Sequence, residues 1–541
     1  MNKIKYVAVI LSVVLLISAL PVAWTADQPV KARTPKDMLV YARSGDTRLL
    51  DPAEGYDTAS SMITGNVYET LVEDDFKNGE FLGVKPMLAT SWSISKDGRT
   101  YTFNLRKGVK FHDGTDFNAQ AVKYSLDRLV TMGLGPANPI IGHVYQESKV
   151  IDVYKIAIRL KHPYMPFLAC LGHTAACIVS PTAVEAHGGY KKGTPNEWMR
   201  KNMVGTGPYM LHHWTEDEET LLVRNENYWG EKPKLKKILV KQIKEETNLY
   251  NLLRRGDLDM AHPNTLMVEH SVALMKEKGK GGIVVDEDFS YTIAHIEINC
   301  AREPFDNVLA RRALAHAVDY DVVVNKLMKG QAYYLHTIVP EGVFGHNSDI
   351  KGYEYDLAKA DALWNEAGYP RGKNGKRDIS LTYIYNEDND LRARVGVMLQ
   401  QTLNKLGIDL TLQPLKWGTT LEYYIKGDFY INGLGWMPDY PYGDNYLYPL
   451  VHSDNWGQGG NYGKYKNERV DELTDKIMST TDEKAALEYY KEVQEILNEE
   501  VPYVHLYQYK MLTARGAWVK GYEFVQSGLA EVDFASIYKT T

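Results

Sequence analysis

The stretch GWMPDYPYGDNYLYP, residues 435 to 449, places two carboxylates, Asp439 and Asp444, among one Trp and four Tyr. An ionised carboxylate held against rings that exclude water can grip a cation through charge-assisted hydrogen bonds, which are stronger than neutral ones. The same residues also suit a plain turn, with Pro441 and Gly443 in turn positions and Asp444 and Asn445 capping the short helix NYLYPL. Other reactive groups point to structure. His112 and Asp113 could exchange protons, but in "FHDG" they sit in a turn after a strand. His212 and His213 are adjacent, so on a strand they face opposite ways and cannot share a metal. The glycines and lysines of "GKGGI" (279 to 283) lack phosphate-loop spacing and form a turn. There is no Gly-x-Ser-x-Gly elbow and no His-Glu-x-x-His, so neither catalytic residues, a bound metal nor a cofactor is expected.

The elements that must position the aromatic stretch alternate between helix and strand, with no repeat and no low-complexity linker. "LVYARSGDTRLLDP" opens as a strand, and "RTYTFNLRKGVKF" (99 to 111) alternates like a half-buried one. In "AVKYSLDRL", Val122, Leu126 and Leu129 share a helical face. Asp356 caps a helix that Gly368 and Pro370 stop. The clearest helix spans 392 to 406, where Val395, Met398, Leu399, Thr402, Leu403 and Leu406 recur at three and four; Gly407 ends it and "IDLTLQPL" returns as a strand, half of a βαβ unit. Helices at 468 to 478 and 483 to 498 precede a strand "YVHLYQY". The fold class is α/β.

The chain has 541 residues and a formal charge of -7. Lys3 and Lys5 followed by an apolar run to Leu20 form a secretory signal peptide, with cleavage placed near 23 to 26 and the leader taken as 1–26. Losing those two Lys moves the charge from -7 to -9, against the basic face that nucleic acid requires. No later run is apolar and long enough to span a bilayer. No Cys follows the leader to carry a lipid anchor, so the expectation is a free, soluble, monomeric periplasmic protein. More than five hundred residues exceed what one core organises, so two or three lobes are expected. Cys170 and Cys177 flank "LGHTAA" and could either bridge or lie buried as thiols, while Cys300 fits a small buried apolar position.

Four segments in order resemble the extracytoplasmic solute-binding proteins of family 5, which serve ABC importers of peptides, nickel and related cargo. They are "PMLATSWSISKDGRTYTFNLRKGVKFHDGTDFNAQAVKYSLDRL" (86 to 129), "VGTGPYMLHHW" with "VRNENYWGEKPKLKKILVKQI", "LLRRGDLDMA", and "PFDNVLARRALAHAVDYDVVVNKLMKGQA" (304 to 332). The resemblance implies a bilobed, periplasmic-binding-protein-like fold of the large three-domain type II cluster, with mixed sheets. Lobe I would comprise 36–58, 205–290 and 509–541, a smaller domain 59–204 would pack on it, and lobe II would comprise 291–508. "VDEDFSYTIAHIEIN" and "VPYVHLYQYKML" would be two hinge-crossing strands, each leaving one sheet to enter the next.

For the aromatic stretch, the resemblance implies that Gly435, Trp436 and Asp439 form the family's Gly-Trp-x-x-Asp run. Asp439 would hold a peptide ammonium, with Trp436, Met437 and Tyr440 as the wall around it. Gly55, Tyr56, Asp57 and Thr58 would face it from the other lobe; an Asx-turn opening the next helix accounts for them equally. Relatives of this kind that hold short peptides fix the far carboxylate with an Arg before the Gly-Trp run or near a Tyr-Asn pair. Here those places read "FYINGLG" and "YIYNEDND", and Arg392 and Arg394 lie beyond, so a longer peptide fits better than a strict dipeptide. The expected function is capture of a small peptide ligand for delivery to a membrane ABC permease. The same scaffold could instead carry an oligosaccharide or chelated nickel, and a secreted α/β hydrolase is the alternative of another class.

Overall fold

The computed structural model describes residues 29–77, 80–457, 459–525 and 532–540; the expected leader lies outside them. Eleven strands of the described residues pair in one mixed sheet. Its order is 409–415, 380–386, 431–436, 283–298, 503–516, 260–261, 38–43, 237–242, 219–224 and 209–215, with 332–334 attached to 503–516. The two central strands, Ile283–Ile298 and Tyr503–Gly516, are far longer than the rest and antiparallel to each other. They serve both halves of the molecule. On one side 503–516 pairs with the short strand 260–261, which joins it to the parallel pair 38–43 and 237–242, over a core that includes Tyr41, Ile238 and Leu253. On the other 283–298 borders 431–436, beyond which 380–386 and 409–415 run parallel over a core around Trp364, Leu399 and Leu403.

The sequence suggested strands that leave one sheet for another. The pairing is continuous instead, because the two crossing strands pair with each other in both halves and so splice the sheets. Their ladder is irregular at two neighbouring places: Phe289 faces Lys510 but Ile293 faces Gln508, so the first strand takes four steps where its partner takes two, and between Ala294 and His295 the partner skips from Tyr507 to His505. Such a bulge bends a strand and frees it from its ladder. It falls where the chain passes between halves.

A third core belongs to the antiparallel strands 89–94, 100–105, 155–160 and 145–152. The helix Ala119–Met132 covers them with Val122, Leu126 and Leu129. Asn118 starts this helix by accepting the amides of Gln120 and Ala121, and Gly133, at φ 62°, ends it in a left-handed turn that favours glycine. The segments that carried the resemblance are largely architectural. Thr206, Tyr228 and Trp229 all donate to the buried Glu69, at 2.6, 2.7 and 2.9 Å. In "GDLD", Asp259 gathers the Thr34 hydroxyl, the Val40 amide, the Trp518 indole and Lys539.

The parallel strands of the second half set up the site. Strand 380–386 leads into the helix Asp390–Lys405, two residues earlier than its apolar repeat alone suggests because Asn389 caps it. Gly407 then returns the chain to 409–415, and the helix Trp417–Lys426 leads to 431–436. Both 380–386 and 431–436 therefore end at the same edge, the usual place for a ligand in such a sheet. Asp439 follows directly after Trp436.

Candidate functional site

Strand 431–436 brings Gly435 against Ala294 of the crossing strand, where a Cβ would stand 2.4 Å from the Ile293 carbonyl oxygen. Only glycine allows that approach, so the chain leaves the sheet close to the hinge. Asp439 is then fixed by Asn445, whose Oδ1 accepts the Asp439 amide at 2.9 Å and whose Nδ2 donates to Asp439 Oδ2 at 3.2 Å. The Trp436 indole also donates to Asn445 Oδ1, at 3.3 Å. Asp444 and Asn445 do not cap the helix as the sequence suggested. That helix, Asp444–Val451, begins after Gly443 with no side-chain cap, and both residues turn inward within its first turn.

From the opposite half, the Tyr56 hydroxyl donates to Asp439 Oδ2 at 2.7 Å, joining residues 383 positions apart. Tyr56 keeps 38% of its surface exposed, while Asp439 keeps 3%. Asp57 is the N-cap of the helix Thr58–Val67 and accepts the Ser60 amide, so it and Thr58 position Tyr56 while engaged in the helix start. A Cβ on Gly55 would meet the Asp51 and Leu49 carbonyl oxygens at 3.3 Å, so its bare side faces its own turn. His173 approaches from the third core, with Nε2 3.6 Å from Asp439 Oδ1.

No cation among the described residues neutralises Asp439. Burial pushes its carboxyl up to about 6, against the hydrogen bonds from Tyr56 and Asn445 that favour the charged form. His173 does not compensate, because burial holds its imidazole down to about 3 and therefore neutral. Burial and the adjacent carboxylate raise the Tyr56 phenol well above its usual range. The arrangement is an acceptor of negative character, enclosed between two halves of the molecule and suited to a cationic group from outside.

Residues 83–458 match the model of the bacterial extracellular solute-binding proteins, family 5. The chain belongs to this family. It is 32% identical to the probable D,D-dipeptide-binding periplasmic protein DdpA of Escherichia coli, over 91% of this chain and 92% of that protein. It is 31% identical to the glutathione-binding protein GsiB of Shigella flexneri, over 90% and 92%. In three dimensions it resembles the periplasmic binding protein DppA from Helicobacter pylori in complex with the peptide STSA. That match has a TM-score of 0.80 at 31% identity and covers 93% of this chain and 98% of that one. The fold is thus the bilobed one of periplasmic solute-binding proteins, and the long strands 283–298 and 503–516 are its hinge crossings.

Several residues of this family 5 protein sit differently from the sequence expectation. Tyr440 points away from Asp439, into a buried knot in which Asp444 accepts the hydroxyls of Tyr164, Tyr440 and Tyr490 at 2.7, 3.0 and 3.2 Å. Met437 is half-buried beside Trp436. Arg394 pairs with Asp390 and, across the two halves, with Glu269 at 3.0 Å. Arg392 donates to Asn386. Cys170 and Cys177, by contrast, follow one of the two alternatives the sequence left open, being buried and unbridged. His173 and Asn445 escaped sequence reasoning: His173 stood in an apolar loop between two cysteines, and Asn445 resembled a cap. No helix among the described residues is long and apolar enough to cross a membrane.

Proposed function

We propose that this chain captures a peptide longer than a dipeptide in the cleft between its two halves and delivers it to a membrane ABC permease. One observation carries the reading: Asp439 is enclosed between the halves with no cation of its own, where the ammonium of a peptide would supply one. Relatives that bind dipeptides and glutathione, and a structural neighbour holding STSA, support a peptide class. The commitment of Arg394 to Glu269 and Asp390 supports an oligopeptide over a ligand clamped at both charged ends.

In this reading Asp439, Trp436, Met437 and Tyr56 meet the ligand, Tyr440 backs them, and Gly55, Asp57 and Thr58 hold Tyr56 in place. Lobe I comprises 36–58, 205–290 and 509–541, the smaller domain 59–204 and lobe II 291–508; the separate cores support three units, although Met62, Ile63, Val67, Tyr68, Cys177, Val184 and Met203 pack into the core of lobe I and draw that boundary inward. The protein works as an exported, soluble monomer in the periplasm, without catalysis and without nucleic acid. The test is mass spectrometry of ligand carried through purification, followed by thermal shift with free peptides, N-acetylated peptides, oligosaccharides and a Ni(II)–histidine complex. Stabilisation by free peptides alone is the expected outcome. Stabilisation by a sugar or the nickel complex but by no peptide overturns the peptide reading, and turnover of a peptide or ester would reinstate the hydrolase.

A further inference from the structure

Beside Asp439 lies a second side chain, His173, one of whose ring nitrogens the fold leaves unpaired. His173 opens the short turn Thr174–Ala176, and its Nδ1 accepts the Ala175 backbone N–H at 3.0 Å. A ring nitrogen that accepts from an amide carries no proton, so in the neutral imidazole the single N–H is Nε2. His173 is 1% exposed and Nε2 has no partner. It lies 3.6 Å from Asp439 Oδ1, too far for a hydrogen bond. Oδ1 likewise accepts no hydrogen bond among the described residues, because Tyr56 and Asn445 both address Oδ2. A buried donor left unpaired costs the desolvation of the group, so such pairs of open ends call for a partner.

An α-aminoacyl head offers the complementary pair. Its ammonium nitrogen and first carbonyl oxygen lie roughly 3 Å apart when they share one side of the Cα–C bond, close to the 3.6 Å between Asp439 Oδ1 and His173 Nε2. We propose that His173 is a specificity-determining residue that donates its Nε2–H to the first carbonyl oxygen of a bound peptide whose ammonium rests on Asp439 Oδ1. The inference rests on the peptide reading above and deepens it. Asp439 alone would accept any amine. With His173 the site selects an amine two carbons from a carbonyl oxygen. Neutrality is part of the device, since an imidazolium would repel the ammonium, and the Ala175 amide occupies the nitrogen that would otherwise take up a proton.

The test is calorimetric titration of the full protein and of His173→Phe with three probes. These are tri-alanine, N-acetyl-tri-alanine, and tri-alanine whose first peptide bond is replaced by a trans-alkene. The alkene keeps the shape and the ammonium but removes the carbonyl oxygen together with the adjoining amide N–H, a loss common to both proteins. In the native protein it should bind about tenfold more weakly than tri-alanine, the effect of one buried hydrogen bond. In His173→Phe the penalty for the alkene should shrink to whatever the missing N–H contributes, well below that in the native protein, and the N-acetyl probe should bind poorly to both. Equal losses from the alkene in both proteins overturn the role of His173 while leaving the peptide reading intact. No binding of tri-alanine, or no loss on N-acetylation, overturns the peptide reading and this proposal with it. Should His173→Phe fail to fold, nitrogen-15 NMR of the native imidazole replaces it. The Nε2–H resonance should move on adding tri-alanine and not on adding the alkene, and an unmoved resonance overturns the proposal.

Discussion

Asp51 and Asp439 are both aspartates taken almost wholly out of water, and the molecule treats them in opposite ways. Asp51 is met by Arg128 on both oxygens, by one contact at 2.8 Å and a second charge pair, and also accepts the Ala53 amide. Asp439 has two neutral donors on one oxygen and none on the other. Glu69, Glu297 and Asp444 stand between these cases. They lack a cation partner, yet both oxygens of each accept hydrogen bonds from neutral donors. Burial of a carboxylate therefore does not distinguish a ligand site. Among these five carboxylates only Asp439 combines burial, the absence of a cation and an open oxygen, and a buried charge is tolerated only when something satisfies it.

The comparison breaks most visibly at Arg128. Replacing it in Arg128→Met leaves Asp51 buried and unpaired, at an expected cost of about 3–5 kcal/mol. Denaturant unfolding should register this as a lower midpoint, while the folded fraction binds peptide as before. A drop below about 1 kcal/mol would show that Asp51 finds water or another partner, and the contrast with Asp439 would weaken.

Asp439→Asn should act in the other direction on stability and strongly on affinity. Removing a charge that faces a ligand ammonium in a dry site costs on the order of 2–5 kcal/mol of binding, so affinity for a free-amino peptide should fall well over tenfold. Without ligand, the variant should be the more stable protein at pH 7. The carboxyl is raised to about 6 in the folded state, above its unfolded value of about 3.9, which penalises folding by roughly 2–3 kcal/mol above pH 6. Below about pH 4 the group is protonated in both states and the penalty vanishes. The native protein should thus gain stability between pH 6 and 4, and the variant should lack that slope. Asp439→Asn binding the ligand as tightly as the native protein would sink the site.

Acid should loosen the ligand for the same reason. Between pH 6 and 4 the ammonium must displace a proton from Asp439, so affinity should fall by up to about tenfold per pH unit. His173 is held down to about 3, while Tyr56, Cys170 and Tyr446 are raised by burial, so these do not titrate in this window; Asp444 is also raised by burial, but its oxygens are taken up by Tyr164, Tyr440 and Tyr490 and face away from the ligand. Calorimetry at pH 7, 6 and 5 checks this. A flat profile would mean that the ligand makes no contact with the ionised carboxylate.

These effects turn on contacts that the sequence discloses unevenly. The long crossings 283–298 and 503–516 were legible through the family resemblance, since local pattern alone marks only the short strand YVHLYQY within them. The helix 390–405 was legible through its apolar repeat, but its start was not, because the Asn389 cap lies outside that repeat. Asp439 and Tyr56 came from motif resemblance, and the bond between them joins segments whose spacing carries no local signal. Asp444 and Asn445 misled because Asp-Asn before a short apolar run is a sound local cap; only tertiary burial turns both inward. Tyr440 misled similarly, since alternation along an irregular loop does not say which aromatic faces the cleft. His173 carried no sequence signal at all, as its meaning depends on which nitrogen the Ala175 amide occupies.

The smallest effect belongs to the rim. Glu269 on one half meets Arg394 and Lys329 of the other, at 3.0 and 3.7 Å, and all three side chains are more than a third exposed. This ion pair spans the halves as the Tyr56–Asp439 contact does, but in water, where such pairs are worth about 0–1 kcal/mol and are screened by salt. Glu269→Gln should therefore weaken peptide binding less than about fivefold at low ionic strength, and the difference should disappear near 0.5 M salt, roughly where screening closes to a few ångströms. Asp439→Asn should keep most of its loss at that salt concentration, because the enclosed carboxylate is shielded from mobile ions. If instead both variants lost their effects together, the Asp439 pocket would be as wet as the rim, and the distinction between an enclosed charge awaiting a partner and an ordinary surface charge would not survive.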